Sequence, residues 1–130
     1  MARRKSPILT EVELEFMKVI WEAGEVTTEG IQARLQKQGR NLAGGSVRKI
    51  VSILEAKSYI ERQAQGRPYL YRPKVPRDSA NNHMVLHLLK RAFDGSVRQM
   101  VATLLDSRAV SRTEIKQIKT LIAEHEKANR

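Results

Sequence analysis

Between Ser46 and Arg72 the spacing of apolar residues changes once, and this change limits the fold more than any other feature of the chain. Val47, Ile50, Val51 and Leu54 fall at i, i+3, i+4 and i+7, the stripe of an amphipathic helix. Tyr59-Ile-Glu-Arg62 and Pro68-Tyr-Leu-Tyr-Arg72 then read as two short strands, joined by the Gly-containing tip Gln63-Ala-Gln-Gly-Arg67. Pro73 and Pro76 end the second strand, because proline cannot donate to a ladder.

Two further helices precede this unit. Thr10-Glu-Val-Glu13 has capping-box spacing, and Leu14, Met17, Ile20 and Trp21 follow on one helical face up to Gly24. Thr27 or Thr28 caps a second helix that carries Ile31 and Leu35 and stops at Gly39. Asn41-Leu-Ala-Gly-Gly45 is a loop, and Ser46 is placed to cap the third helix. Three helices and a hairpin, in that order, make a winged helix-turn-helix. From Ser79 the chain reads as helical again. Met84, Val85, Leu88, Leu89, Ala92 and Phe93 form one stripe, which Asp94-Gly95-Ser96 breaks. Val97, Met100, Val101, Leu104 and Leu105 form the next, and Ser111-Arg-Thr-Glu114 caps a last helix carrying Ile115, Ile118, Leu121 and Ile122. The expected fold is mostly α with a small β-hairpin wing: a winged helix-turn-helix in residues 1–77, then a helical region in residues 78–130.

Charge singles out one part of this layout. The 130 residues hold 24 Lys plus Arg against 14 Asp plus Glu, a net +10, and a strongly basic chain favours a polyanionic partner. Residues 34–77 contain eleven basic and two acidic residues, +9 of that total, whereas residues 1–33 sum to −2 and residues 78–130 to +3. The block therefore covers the end of the second helix, the third helix and the wing. The helix spanning 43–57 is expected in the major groove of DNA, with the 60–72 hairpin on the backbone. Arg48 and Lys49 lie off the apolar stripe as groove contacts, with Ser52 beside them, and Gly45 and Ser46 sit at the helix start where N–H groups meet phosphate. Arg62, Arg67 and Arg72 suit wing–phosphate contacts. Arg3 and Arg4, with Lys5, read as a phosphate-seeking arm or as a tail. Tyr69 and Tyr71 are expected to pack the wing onto the helices.

Other chemistries lose support. With no cysteine there are no disulfides, thiolate metal sites or cysteine nucleophiles. His83 and His87 stand at i and i+4, but two ligands on one helix are not a metal site, and His125 is far along the chain. Gly44-Gly-Ser-Val-Arg-Lys49 lacks P-loop spacing, and nothing resembles a nucleophile elbow. Neither an enzyme nor a cofactor is expected. No apolar run reaches the roughly 18 residues of a membrane span, and the basic N-terminus lacks a signal-peptide core, so a cytoplasmic protein without membrane insertion is expected. Aromatic residues make up 5% of the chain, too few for RNA recognition by base stacking. The other class to weigh against DNA binding is a winged-helix interaction module with an acidic protein partner.

Leu9-Thr-Glu-Val-Glu-Leu-Glu-Phe-Met-Lys-Val-Ile-Trp21, Leu42-Ala43 and Gly66-Arg-Pro-Tyr-Leu-Tyr-Arg-Pro73 resemble the BlaI/MecI/CopY family of transcriptional repressors, also called penicillinase repressors. The similarity continues more loosely through Phe93-Asp-Gly-Ser96 and Val110-Ser-Arg-Thr-Glu114. It implies a repressor that binds double-stranded, dyad-symmetric operator DNA as a homodimer and dimerises through residues 78–130. The stripe residues Met84, Leu88, Phe93, Val97, Met100, Val101, Leu104, Ile115, Ile118 and Ile122 are the expected dimerisation contacts. The chain departs from the family pattern at Gly44-Gly45-Ser46, where Tyr-Thr-Thr is usual, and at Lys57-Ser58, where Lys-Gly is common. Antibiotic-responsive members of the family are cut at an Asn–Phe bond by a membrane metalloprotease. Thr103-Leu104 stands at that place here, which puts this partner in doubt. The cysteine cluster by which the copper-responsive branch senses metal is absent.

Overall fold

The computed structural model describes residues 8–63 and 66–129; Arg3, Arg4 and Lys5, Ala64 and Gln65 of the hairpin tip, and Arg130 lie outside them. The described residues form α1 (Glu11–Ala23), α2 (Thr28–Lys37), α3 (Gly44–Ala56), β1 (Ile60–Arg62), β2 (Tyr71–Pro73), α4 (Arg77–Phe93), α5 (Val97–Asp106) and α6 (Arg112–Ala128). This is the expected mostly helical chain with a β-hairpin wing after the third helix. It divides into two compact units, one ending at Val85 and one beginning at Leu86.

Local signals place most helix ends in the first unit. Thr10 Oγ1 accepts from the Glu13 amide while Glu13 Oε1 accepts from the Thr10 amide, closing the capping box of α1. Thr27 caps α2 through the Gly30 amide at 3.0 Å. Ser46, however, does not cap α3. Gly44 and Gly45 are already helical, the N-cap is Ala43 with φ −66° and ψ 151°, and no side chain closes the end. Two glycines that fit the first turn moved the start ahead of Ser46.

The buried stripe of α1 is also wider than expected. Phe16, Met17, Val19 and Ile20 are buried, whereas Leu14 and Trp21 are half-buried. The reason is that α1 touches α2, α3 and β2 at once, so three neighbours cover a broad arc. On α3, Val47, Val51 and Leu54 are buried as expected, and Ile50 is half-buried.

The wing pairs Ile60 with Pro73, Glu61 with Arg72 and Arg62 with Tyr71, antiparallel. Its second strand starts at Tyr71, later than expected, although the Gln63 amide still reaches the Leu70 carbonyl at 2.9 Å. Val26 adds a bridge on the far side of Tyr71, with reciprocal bonds of 3.0 and 2.9 Å. That segment before α2 has no strand-like run, so the bridge is invisible in sequence. Beyond the wing, Trp21 Nε1 donates to the Val75 carbonyl at 2.9 Å and Arg77 stacks over the indole, which ties the outgoing chain to α1.

In the second unit, Ser96 caps α5, and Ser111 with Glu114 forms the second expected capping box on α6. Asp94 and Gly95, both at positive φ, make the break after α4. None of its described residues is buried. Large apolar side chains stay open to solvent, among them Val97 at 61% and Ile122 at 55% exposed.

Candidate nucleic-acid interface

The outer side of α3, the start of α2 and the wing enclose an open cleft of about 670 Å³. Arg48 and Ser52, one turn apart on α3, form one wall, and Arg62, Arg67 and Tyr69 of the wing form the other. Strand alternation explains the wing's contribution. Tyr71 and its cross-strand partner Arg62 face this side together with Tyr69, two residues earlier. Glu61 and Arg72 pair on the opposite face at 2.8 Å. Arg72 is therefore not brought together with Arg48, Arg62 and Arg67.

Gly45, Ser46 and Lys49 are exposed on α3 but do not line the cleft. Arg48 folds back toward the helix start: a Cβ on Gly44 would stand 3.2 Å from its Nη1. Its guanidinium thus lies beside the first turn of α3, whose leading amides have no side-chain cap.

Charge in this region is partly neutralised. Among the described residues, four of the eleven cations in 34–77 pair with carboxylates: Arg40 with Glu15, Lys57 with Glu13, Arg62 with Glu55 and Arg72 with Glu61. Two of these carboxylates belong to α1, in the slightly acidic part of the chain. Arg48, Lys49 and Arg67 have no carboxylate within ion-pair distance among the described residues.

The two wing tyrosines differ in role. Tyr71 packs into the core, as expected, and burial raises its phenol, with Glu55 adding to the effect. Tyr69 also packs against the core, as expected, but is only half-buried and keeps part of its ring in the cleft. The Arg62 guanidinium lies 4.3 Å from its ring centroid and that of Arg67 5.8 Å. A hydrogen bond from Arg67, then the charges of Arg67 and Arg62, pull this phenol below the usual tyrosine range.

Five lining residues carried no sequence signal as site residues: Thr28 and Glu29 at the start of α2, Pro68 and Tyr71 of the wing, and Tyr69 as a partner of arginines. Spacing within one element could not reveal that α2 begins against the wing. His83 and His87 are exposed, and no cluster of three or more His, Asp or Glu placed to hold a metal occurs among the described residues. No described helix is long and apolar enough to cross a membrane.

A helix-turn-helix whose third helix and hairpin wing frame a basic cleft defines a winged-helix DNA-binding protein of the transcription-regulator class. The chain belongs to the penicillinase repressor family, whose pattern it matches over residues 9–124, and that family consists of transcriptional repressors rather than enzymes. It is 25% identical over 122 residues to the penicillinase repressor of Bacillus licheniformis, covering 94% of either chain. An uncharacterised 16.5 kDa protein encoded in the ptsI 3' region of Latilactobacillus sakei is also 25% identical over 122 residues, covering 94% of this chain and 82% of that one. Among solved structures, the solution structure of the DNA-binding domain of the repressor BlaI is similar, with a TM-score of 0.51 and 25% identity. That likeness covers 59% of this chain and 93% of the other.

Proposed function

We propose that this repressor binds a dyad-symmetric operator as a homodimer, with α3 in the major groove and the 60–72 hairpin on the backbone. The observation that carries this reading is the cleft between α3 and the wing, where Arg48, Ser52, Arg62 and Arg67 converge. Arg48 and Lys49 contact base edges, Ser52 lies one turn further along, Gly45 and Ser46 offer amides to phosphate, and Arg62 and Arg67 meet the backbone. Arg72 serves a phosphate only by releasing Glu61. Bound there, the dimer blocks polymerase sterically, and no catalysis is needed. Residues 1–77 read DNA and residues 78–130 pair two copies.

Dimerisation is supported by the exposed apolar faces of the second unit, which a second copy would cover. Two-fold pairing also sets the two reading helices about 34 Å apart, one turn of DNA. Such a repressor works in the cytoplasm, where the chromosome is. Proteolytic release by a membrane metalloprotease is disfavoured, because Thr103 and Leu104 lie inside α5, with Thr103 Oγ1 bonded to the Gln99 carbonyl. A protease needs that segment extended, so α5 would first have to unwind.

The test is a salt titration of binding to a duplex from the promoter region upstream of the protein's own gene. Binding should weaken with a log–log slope of about −0.9 per neutralised phosphate. Arg67→Ala should weaken binding to all sequences alike, whereas Arg48→Ala should also relax specificity. Absence of any shift at low salt would point instead to an acidic protein partner.

A further inference from the structure

Tyr69 lies on the cleft side of the wing and has two cationic neighbours. Arg62 comes from β1, directly across the ladder from Tyr71, and its guanidinium lies 4.3 Å from the Tyr69 ring centroid. Arg67 comes from the end of the hairpin tip, and its guanidinium lies 5.8 Å from the same centroid. Two guanidinium groups repel each other, and each ends a long side chain with several free torsions. Without a common anchor they would spread apart into solvent. An aromatic face attracts both cations, whose guanidinium carbons lie 4.3 and 5.8 Å from the ring centroid. Arg62 is further steadied by Glu55 of α3, whose Oε2 lies 4.0 Å from its Nε.

All three residues line the same cleft as Arg48 and Ser52. Tyr69 packs one side against the core yet is only half-buried, unlike Tyr71, so part of its ring is left in the cleft for the two arginines. Cations fixed before contact lose less freedom when phosphate arrives, so fixing them favours the bound state.

We propose that Tyr69 is a positioning residue, whose ring holds Arg62 and Arg67 together so that the wing presents one paired cationic site to a single stretch of DNA backbone. This rests on the DNA-binding reading above and adds a role for a residue that itself need not touch a base.

The experiment compares the full chain with Tyr69→Leu and Tyr69→Phe. Fluorescence anisotropy measures binding to the duplex upstream of the gene and to a random-sequence duplex of equal length, each titrated with salt. Thermal unfolding is followed in parallel. Tyr69→Leu should lower affinity for both duplexes by about fivefold at low salt. It should also flatten the salt slope by about 0.9 to 1.8, the loss of one or two phosphate contacts. Tyr69→Phe keeps the ring that both guanidinium groups lie over, so its slope should stay close to that of the unchanged chain. A slope equal to that of the unchanged chain in a folded Tyr69→Leu variant overturns the proposal, even if its melting temperature falls. If that variant does not fold, Tyr69→Ala takes its place, and an unchanged slope in it overturns the proposal. If the unchanged chain binds neither duplex, the DNA reading fails and this proposal with it. If it binds and the variants do not differ from it, only the role of Tyr69 is lost.

Discussion

Lys57 Nζ lies 2.7 Å from Glu13 Oε1, and the two side chains are only 6% and 8% exposed. The same ammonium donates to the Ile8 carbonyl, and the same carboxylate oxygen accepts from the Thr10 amide. One ion pair therefore fastens the end of α3 to the start of α1 and completes the α1 capping box. By sequence, Lys57 counts toward the basic block, yet its charge is spent inside the fold. Replacing it with Met would strand a buried carboxylate, at a cost of about 3–5 kcal/mol. Urea denaturation of Lys57→Met should show that loss. Operator affinity of the folded fraction should not change, because Lys57 is buried against Glu13 and does not line the cleft.

Ser58 follows this lysine at φ 66°, in the left-handed region. Its amide bonds the Glu55 carbonyl, and the Tyr59 amide bonds the Leu54 carbonyl, the pattern of a Schellman motif. α2 ends the same way, with Gly39 at φ 93° bonding Gln36 and Arg40 bonding Leu35. Serine pays a steric penalty there that glycine avoids. Ser58→Gly should therefore stabilise the protein by about 1 kcal/mol, and Gly39→Ala should destabilise it by a similar amount. Both are read from denaturant midpoints at constant m-value. A loss of stability in Ser58→Gly would contradict this account.

The three tyrosines should titrate in a fixed order. Arg67 and Arg62 lower Tyr69, whereas burial raises Tyr59 and Tyr71, with help from Glu13 and Glu55 respectively. Absorbance of the tyrosinate should rise first from Tyr69, and Tyr69→Phe should remove that first step. For Tyr59 and Tyr71 the folded pKa exceeds the unfolded 10.0. Their contribution is thus complete below about pH 10 and is lost as pH rises through the folded values. Unfolding at alkaline pH should follow the two later steps, not the first.

A charge placed on the open apolar surface of the second unit should separate two copies. Leu104 is 51% and Ile118 37% exposed, so neither Leu104→Glu nor Ile118→Glu disturbs a filled core. Burying such a charge unpaired in an interface costs several kcal/mol, enough to weaken dimerisation about a hundredfold. Sedimentation equilibrium should show a dimer for the unchanged chain and monomers for the variants. A unchanged chain that stays monomeric at all concentrations would remove the dimer.

Within single elements the sequence was legible. Thr10 with Glu13, Ser111 with Glu114, Gly24, Gly39 and the Val47–Leu54 stripe all announce structure through contacts four residues away or fewer. The same holds for the order of helices and hairpin, and hence for the family. What stayed hidden joins distant segments: Val26 bridging to Tyr71, Lys57 turning inward to Glu13, and Arg72 facing away from Arg62. Alternation along a strand says that two residues face opposite sides, but only packing against α3 says which side is the cleft. The expected span of 43–57 covers α3, but its cap was misplaced at Ser46, because a capping side chain there says nothing about the two glycines before it being helical already.

Glu29 gives the last prediction. It lines the cleft beside Arg48, Arg62 and Arg67, and Thr28 Oγ1 donates to its Oε2 at 3.1 Å. As an acidic residue in the first turn of α2 it also complements the helix dipole, worth about 0.3–1 kcal/mol of stability. A carboxylate facing phosphates opposes binding to every sequence, and it is tolerable only if a correct site offers a donor, such as cytosine N4, to meet it. Glu29→Gln should therefore cost slight stability, yet tighten binding to a random duplex and steepen its salt slope by up to about 0.9. The ratio of specific to random affinity should fall, because random DNA gains more than the operator does. Parallel salt titrations on the two duplexes read this ratio directly, and an unchanged ratio with lowered stability would leave Glu29 only its place at the helix end.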